Sequence, residues 1–175
     1  ESDLDEALVN DFARNNNLGF YRVGFDTTGY ASEKNISIQM AARELRYRWF
    51  EEIRIEQGYD LIAIAHNLND NVETFLINLT RGTGIAGLTG MKPRHNRLIR
   101  PLLFATRKAV SNYCALHSIE YREDRSNSDV KYLRNRLRHE IIPLFRDINR
   151  SFDEAIVETS RILTEINKLK NKRIG

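Results

Sequence analysis

A short, almost continuously apolar run, Tyr-Asp-Leu-Ile-Ala-Ile-Ala at residues 59–65, constrains the fold more than any other segment of this chain. It lies between two segments whose apolar residues recur with helical spacing. A strand that is apolar on both faces is typical of a parallel sheet covered by helices on both sides. The run therefore predicts an α/β fold with an open, mainly parallel sheet and helices on both faces.

The rest of the chain alternates between helical and strand-like patterns, as such a fold requires. Apolar spacing and capping residues predict helices over residues 3–17, 37–57, 69–80, 106–117, 132–145 and 152–172. Further short strands are expected over residues 20–25, 98–103 and 119–121. Polar residues with Gly29 lead from the first of these strands to the helix over residues 37–57.

Charge is distributed unevenly along the chain, although the formal net charge is only +3. Residues 1–90 carry 8 basic and 14 acidic side chains, whereas residues 91–139 carry 12 basic and 4 acidic ones. A basic block of this kind indicates an anionic partner, nucleic acid or nucleotide phosphate, or else a solvated basic face. Charge alone does not choose between these two readings.

Composition excludes several classes of protein. The 175 residues, 41% of them hydrophobic, are enough for a buried core. The single cysteine, Cys114, can form neither an internal disulfide nor a thiolate metal site by itself. No apolar run approaches the roughly 20 residues that cross a bilayer, and the acidic N-terminus does not resemble a signal peptide. We expect a cytoplasmic protein without a membrane partner.

The segment from His66 to Thr74 follows the predicted central strand and opens the next helix. Ligands of open α/β sheets bind beyond the carboxyl ends of the strands, which makes this segment a candidate site. Asp70 and Glu73 are three residues apart and share a helix face. They could hold a divalent cation or neutralise an amine, but acids in a first helical turn also complement the helix dipole without any catalytic role. A lone histidine such as His66 is more often a structural, hydrogen-bonded residue.

Two further patterns are weaker when taken alone. Arg43 and Arg46 lie on nearly one side of the helix over residues 37–57, where arginine forks could bind phosphate or simply pair with neighbouring glutamates. The segment Arg-Gly-Thr-Gly at residues 81–84 begins a glycine-rich loop whose N–H groups could face an anion. It matches neither a Walker A loop nor a dinucleotide fingerprint, so a structural turn is the simpler interpretation.

A basic helix is predicted near the end of the basic block. Arg134, Arg138 and, in part, Lys131 recur at helical spacing, with Arg136 on another side. Asp124 and Asn127 precede this helix and could order its entry. Arginines of this kind position a nucleic-acid backbone without reading its sequence.

Together these stretches resemble one family, the tRNA(Ile)-lysidine synthases of the N-type ATP pyrophosphatases. Five pieces occur in the family's order, and the stretch from the first to the last spans roughly four-fifths of the chain; they are ESDLDEALV, SIQMAARELRYRWFEEI, IAIAHNLNDNVETFLINLTRGTGIAGLTGM, IRPLL and YREDRSNSDVKYLRNRLRHEIIPLF. One departure is at Asn69, where many members carry an acid, so that only Asp70 and Glu73 supply carboxylates.

The resemblance implies a Rossmann-like fold and a two-step ligase reaction that modifies tRNA. ATP would adenylate the C2 oxygen of the wobble cytidine in a tRNA(Ile) with a CAU anticodon. Free lysine would then attack C2 with its side-chain amine and displace AMP, forming lysidine. ATP is thus expected as a substrate, with Mg²⁺ to balance phosphate charge.

The resemblance also implies roles for residues in three groups. The expected catalytic residues are Asp70, Glu73 and Arg43, with Asp70 also a candidate Mg²⁺ ligand. The expected nucleotide-binding residues are His66, Arg46, Gly82 and Gly84. The expected tRNA phosphate-binding residues are Arg81, Arg134, Arg136 and Arg138.

Domain organisation follows from the same resemblance. Residues 1–148 are expected to be a partial catalytic domain and residues 149–175 a linker helix toward a further domain. The family's Ser-Gly-Gly-x-Asp-Ser ATP loop does not occur in the chain and is expected upstream of Glu1, so the chain by itself is expected to be inactive. The alternatives are a tRNA thiolase of the same fold and a non-catalytic RNA-binding module. The oligomeric state stays open, with a homodimer among the candidates.

Overall fold

The computed structural model describes residues 2–122 and 133–174, which form two compact units. The first unit is Glu1–Ile62 and the second is Ala63–Gly175. Asp124, Asn127 and Lys131, singled out above, lie outside the described residues. No helix in the described ranges is both long and apolar enough to cross a membrane.

The first unit contains three helices, α1 (Ser2–Asn15), α2 (Thr27–Lys34) and α3 (Ile38–Glu56). The hydroxyl of Ser37 caps α3 by accepting a hydrogen bond from the N–H of Met40 at 3.2 Å. Ala41 and Leu45 form the buried side of α3. The predictions for α1 and α3 are therefore confirmed to within a few residues.

One helix of the first unit was not predicted, and one predicted strand is wrong. The residues around Gly29 form α2 because the Asp26 carboxylate accepts the N–H of Gly29 and caps a helix. Residues 20–25, expected as a strand, have no regular structure. A strand needs a neighbour for its backbone groups, and this segment is instead connected through side chains, with the Tyr21 hydroxyl donating to Gln57.

Three very short strands form one sheet in the order β1, β3, β2. They are β1 (Ile62–Ala63), β2 (Arg94–His95) and β3 (Leu98–Ile99). β2 and β3 pair antiparallel as a hairpin, with Arg94 opposite Ile99. Beside β1, the N–H of Ile64 donates to the carbonyl of Ile99 at 2.9 Å.

The strands are shorter than predicted. The run 59–65 contains only the two residues of β1, and the predicted strand over residues 98–103 ends at Ile99. Pro101, which has no N–H to donate to a sheet, begins a turn there. Residues 119–121 form no strand.

The core of the second unit lies between α4 (Leu68–Thr80) and the helices near the C-terminus. Its buried residues are Val72, Phe75, Leu76, Leu137 and Ile142. Leu79, which follows Val72, Phe75 and Leu76 at helical spacing, is 51% exposed. A 3₁₀ helix (Ile85–Thr89) and the last helix, α8 (Phe152–Ile174), pack around this core.

The helix predicted over residues 132–145 consists of three parts. These are α6 (Leu133–Arg136), a π-helical turn (Leu137–Ile141) and α7 (Ile142–Ile148), and they follow α5 (Arg107–Leu116) in the chain. Pro143 lies in the first turn of α7. Because proline lacks an N–H and its ring clashes with the carbonyl four residues earlier, the turn before it widens.

Candidate functional site

Asp70 and Glu73 are held at the beginning of α4 by a reciprocal cap. The Asn67 side chain accepts from the N–H of Asp70 at 3.0 Å, and the Asp70 carboxylate accepts from the N–H of Asn67 at 3.0 Å. This capping box fixes the first turn of the helix, so both carboxylates point from one face. The structural and the catalytic interpretation of Asp70 are thus compatible, since one of its oxygens caps the helix and the other is not used by the cap.

Glu73 is almost completely buried, with 1% of its side chain exposed, and its charge is balanced by arginine. Arg138 donates to both carboxylate oxygens, from Nε at 2.7 Å and from Nη2 at 3.1 Å. Nε of Arg134 lies 3.5 Å from the second oxygen. The bidentate contact is the geometry in which arginine binds a carboxylate most strongly.

Asp70 belongs to the same cluster of charges. Its Oδ1 lies 3.8 Å from Nη2 of Arg138 and 3.6 Å from Nη2 of Arg107. Arg107 also approaches Glu73, at 3.9 Å. We call these five residues, Asp70, Glu73, Arg107, Arg134 and Arg138, the carboxylate–arginine cluster.

Arg107 was not predicted from the sequence. It is the first residue of α5, whose N-cap Thr106 accepts from the N–H of Ala109. The Asn69 side chain accepts from the N–H of Arg107 at 2.8 Å and ties the start of α5 to the start of α4. The sequence signal that could have identified Arg107 is its position. It directly follows the helix-capping Thr106, shortly after the end of the strand predicted over residues 98–103.

The contacts of Arg138 keep its guanidinium group protonated. The hydrogen bond with Glu73 raises the pKa of Arg138 above its ordinary value, and the nearby negative charges of Glu73 and Asp70 add to this effect. The guanidinium is therefore protonated at every pH at which the protein is folded. A buried carboxylate beside such a group is stable because its charge is compensated.

The surroundings of Asp70 do not fit a Mg²⁺ ion. One carboxylate oxygen is used by the helix cap, and the other faces two guanidinium groups that would repel a cation. Within the described residues, no group of three or more His, Cys, Asp or Glu side chains could hold a metal. An ammonium group differs from Mg²⁺ because it carries half the charge and can donate hydrogen bonds to carboxylate oxygens, as the guanidinium groups do.

His66 precedes this helix and contacts a different arginine. Its Nδ1 accepts from Nε of Arg100 at 3.1 Å, and Arg100 also donates to the carbonyl of Lys92 at 2.7 Å. The contact connects the end of β1 to the segment that carries the hairpin. The predicted nucleotide-binding role of His66 stays a prediction.

The glycine-rich loop folds back on α4 through asparagine side chains. Asn78 donates to the carbonyl of Gly87 at 2.7 Å, and Asn71 accepts from the N–H of Met91 at 2.7 Å. Gly82 has a positive φ of 67° at the end of the helix, where glycine is favoured. These contacts explain the loop as a turn, while phosphate binding by Arg81, Gly82 and Gly84 stays a prediction.

The other predicted site residues are arginines on α3, on α6 and on the π-helical turn. Arg43 and Arg46 are exposed on α3 of the first unit, where Arg43 stacks over the Tyr47 ring at 4.6 Å and lines an open pocket with Met40 and Glu44. Arg136 is 60% exposed and pairs with Glu140 at 3.3 Å. Arg134 and Arg138 contact Glu73, and their predicted binding of tRNA phosphate stays a prediction.

Comparisons with known proteins agree with this architecture. Residues 1–145 match the family model of the PP-loop domain. The chain is 44% identical over 173 residues to the tRNA(Ile)-lysidine synthase of Porphyromonas gingivalis strain W83, covering 98% of the chain and 38% of that protein. It is 39% identical over 175 residues to the tRNA(Ile)-lysidine synthase of Thermosipho africanus, covering 100% of the chain and 41% of that protein. The chain thus spans about two-fifths of these relatives' length.

A solved structure supports the fold. The U34-tRNA thiolase NcsA from Methanococcus maripaludis, with its [4Fe-4S] cluster, superposes with a TM-score of 0.71 at 18% identity, over 91% of this chain and 56% of that one. At this identity the likeness concerns the fold alone. The predicted α/β class and the resemblance to tRNA(Ile)-lysidine synthases are both confirmed.

Proposed function

The chain belongs to the PP-loop domain family, and we propose that it forms the catalytic part of a tRNA(Ile)-lysidine synthase. The proposed reaction uses ATP to adenylate C2–O of the wobble cytidine in a tRNA(Ile) with a CAU anticodon, releasing pyrophosphate. The side-chain amine of lysine then attacks C2, and the C2–O bond breaks as AMP leaves. ATP, free lysine and this tRNA are the proposed substrates.

The observation that carries the proposal is the pair of carboxylates held among arginines at the start of α4. A protein that only binds phosphate gains nothing from negative charge beside its anion. An enzyme that brings an amine to an activated base needs both charges, a carboxylate for the ammonium and guanidinium groups for the phosphate. The carboxylate–arginine cluster supplies both within one site.

Roles within the cluster follow from burial and contacts. Glu73 is the fixed member, since Arg138 holds it in a bidentate contact. Asp70 has one oxygen that the helix cap does not use and that makes only long ionic contacts with Arg107 and Arg138. We therefore assign to Asp70 the lysine ammonium and the proton that the amine must lose before attack. The base itself must be unstacked to reach such a site.

Residues outside the cluster receive proposed roles in binding. Exposed Arg81 and Arg136 are proposed to contact tRNA phosphates. Arg43 and Arg46 on α3 are proposed to stabilise ATP phosphates. His66, Gly82 and Gly84 keep their proposed place near the nucleotide. Mg²⁺ is proposed to accompany ATP, without Asp70 as a ligand.

Asp70→Asn tests the proposal because it removes the charge and keeps the helix cap. The amide oxygen of the introduced asparagine can still accept the N–H of Asn67, so α4 should begin at the same residue. In the full gene product, lysidine formation on a CAU transcript should fall by about 10²-fold or more, while the melting temperature changes little. Lysidine is measured by mass spectrometry of nuclease-digested tRNA.

The same assay separates the alternatives. If the wild-type protein adds no lysine to the tRNA, the proposal is wrong. A product that carries sulfur in place of lysine would identify a thiolase. Binding of tRNA with no ATP turnover would identify a non-catalytic RNA-binding module. Near-normal lysidine formation by the Asp70→Asn variant would remove Asp70 from the mechanism and leave the family function intact.

A further inference from the structure

Arg107 differs from the other two arginines of the cluster in how its side chain is used. Arg138 directs its donors to Glu73, and Arg134 donates from Nη2 to the Thr74 hydroxyl at 3.3 Å. Arg107 approaches the carboxylates only at 3.6 and 3.9 Å, which are ionic contacts too long for hydrogen bonds. Among the described residues, the Arg107 guanidinium group makes no hydrogen bond. Because 44% of the side chain is exposed, a group from solution can reach it.

The backbone of Arg107, in contrast, is firmly held. Its N–H donates to the Asn69 side chain at 2.8 Å, and Thr106 caps the helix that it begins. A neighbouring backbone hydrogen bond, from Leu68 N–H to the Ala105 carbonyl at 2.9 Å, also joins the two helix starts. The structure thus fixes where Arg107 is attached and leaves its donors for a group that comes from outside.

The charges of the cluster indicate what that group is. Among the described residues, two carboxylates face three guanidinium groups, so these five side chains together carry one excess positive charge. An ammonium group that binds to Asp70 adds a second positive charge within a few ångströms. Such a site is stable only if a substrate anion enters with the amine or one guanidinium moves to an anion.

We propose that Arg107 binds a substrate oxyanion as the amine takes its place beside Asp70 and Glu73. This inference rests on the function proposed above. Two substrate groups have the required chemistry, the carboxylate of free lysine and the phosphate on the adenylated base. Arginine, with five donors in a planar fork, matches either one.

The experiment compares Arg107→Ala and Arg107→Lys in the full gene product, with Arg150→Ala as the matched control. Arg150 is an exposed arginine of the same unit that lies outside both the cluster and the basic block of residues 91–139. Lysidine-type product is measured against the concentration of lysine and of pentane-1,5-diamine, which has the amine but no carboxylate. A lost charged hydrogen bond corresponds to a change of about 10- to 100-fold.

Each source of the oxyanion predicts its own pattern. If Arg107 binds the lysine carboxylate, Arg107→Ala raises KM for lysine about 10- to 100-fold and leaves the diamine reaction unchanged. If it binds the phosphate, kcat falls by this factor with both amines, while KM for lysine changes less than about twofold. In either case Arg107→Lys recovers part of the loss, because the positive charge remains. The recovery is incomplete because lysine lacks the planar fork of donors.

Three results would overturn the inference. These are unchanged kinetics in Arg107→Ala, a lower KM for lysine in that variant, and an equal loss in Arg150→Ala. The first would show that the long contacts are incidental, the second that Arg107 only competes with the amine, and the third that bulk charge is responsible. All three presuppose an active wild-type enzyme, so an inactive wild type contradicts the proposed function and is recognised separately.

Discussion

Glu73 illustrates, at the scale of a single residue, how a charge can be buried without being lost. Removing a carboxylate from water costs several kcal/mol, and the two hydrogen bonds from Arg138 offset that cost. Neither residue is stable in this position without the other. The pair is therefore expected to matter for folding as well as for chemistry.

Glu73→Gln should lower the free energy of unfolding by about 3–5 kcal/mol, because the Arg138 charge would lose its main partner while mostly buried. Urea denaturation of the gene product, followed by circular dichroism, measures the change. The control is Glu158→Gln, which breaks an exposed ion pair with Arg161 and should have little effect. A decrease in the free energy of unfolding below about 1 kcal/mol in Glu73→Gln would contradict this expectation. It would show that the Arg138 guanidinium finds solvent or another partner in place of the Glu73 carboxylate.

At the scale of elements, the loop after α4 shows how one backbone position can orient a helix and the following segment. Gly90 ends the 3₁₀ helix with φ 66° and ψ −165°, a conformation open essentially to glycine alone. A Cβ at this position would come within 2.7 Å of Oδ1 of buried Asn71. That same oxygen accepts the N–H of Met91, so it cannot move away without losing a hydrogen bond.

Gly90→Ala should therefore destabilise the protein by about 1–3 kcal/mol, from backbone strain and from the contact with Asn71. Gly84→Ala is the matched control in the same loop, since its φ is −69° and a Cβ there would meet nothing within 4 Å. Thermal unfolding of both variants provides the comparison. Equal melting temperatures for the two would show that the loop adjusts its conformation at no cost.

At the scale of the whole molecule, charge separates the acidic first half of the sequence from the basic block at residues 91–139. The structure refines this pattern, because Arg134 and Arg138 compensate internal carboxylates and so contribute less to any external field. Arg81 and Arg136 are exposed and stay available to a phosphate backbone. Under the proposed function, affinity for tRNA should depend on such exposed residues.

The double variant Arg81→Ala/Arg136→Ala should weaken tRNA binding and reduce the slope of log K against log salt concentration by up to about 2. Filter binding at several salt concentrations measures the slope. The control, Arg14→Ala/Lys34→Ala, removes the same charge from exposed positions of the first unit and should leave the slope unchanged. An equal effect of the two double variants would show that net charge alone controls tRNA binding. If Arg81→Ala/Arg136→Ala had no effect, both arginines would be solvated surface residues without a role in tRNA binding.

The sequence by itself determined most of the helices and the two carboxylates of the site. Helix starts depend on local capping, so Ser37, Asn67 and Thr106 mark them correctly within a few residues. Asp70 and Glu73 share a face because helical periodicity places residues three apart side by side. The resemblance to the lysidine synthases likewise depends on residue order alone.

Tertiary structure decided the extent of the strands and the composition of the cluster. A strand exists only where a distant segment completes its hydrogen bonds, which is why the apolar run at residues 59–65 contains only Ile62–Ala63 as a strand. Arg107 and Arg138 contact Glu73 although they lie 34 and 65 residues after it in the sequence. Helical periodicity predicts contacts only between residues a few positions apart, so it could not predict these two. Packing of α4 against the later helices brings these charges together, because a buried carboxylate is stable only where cations converge on it.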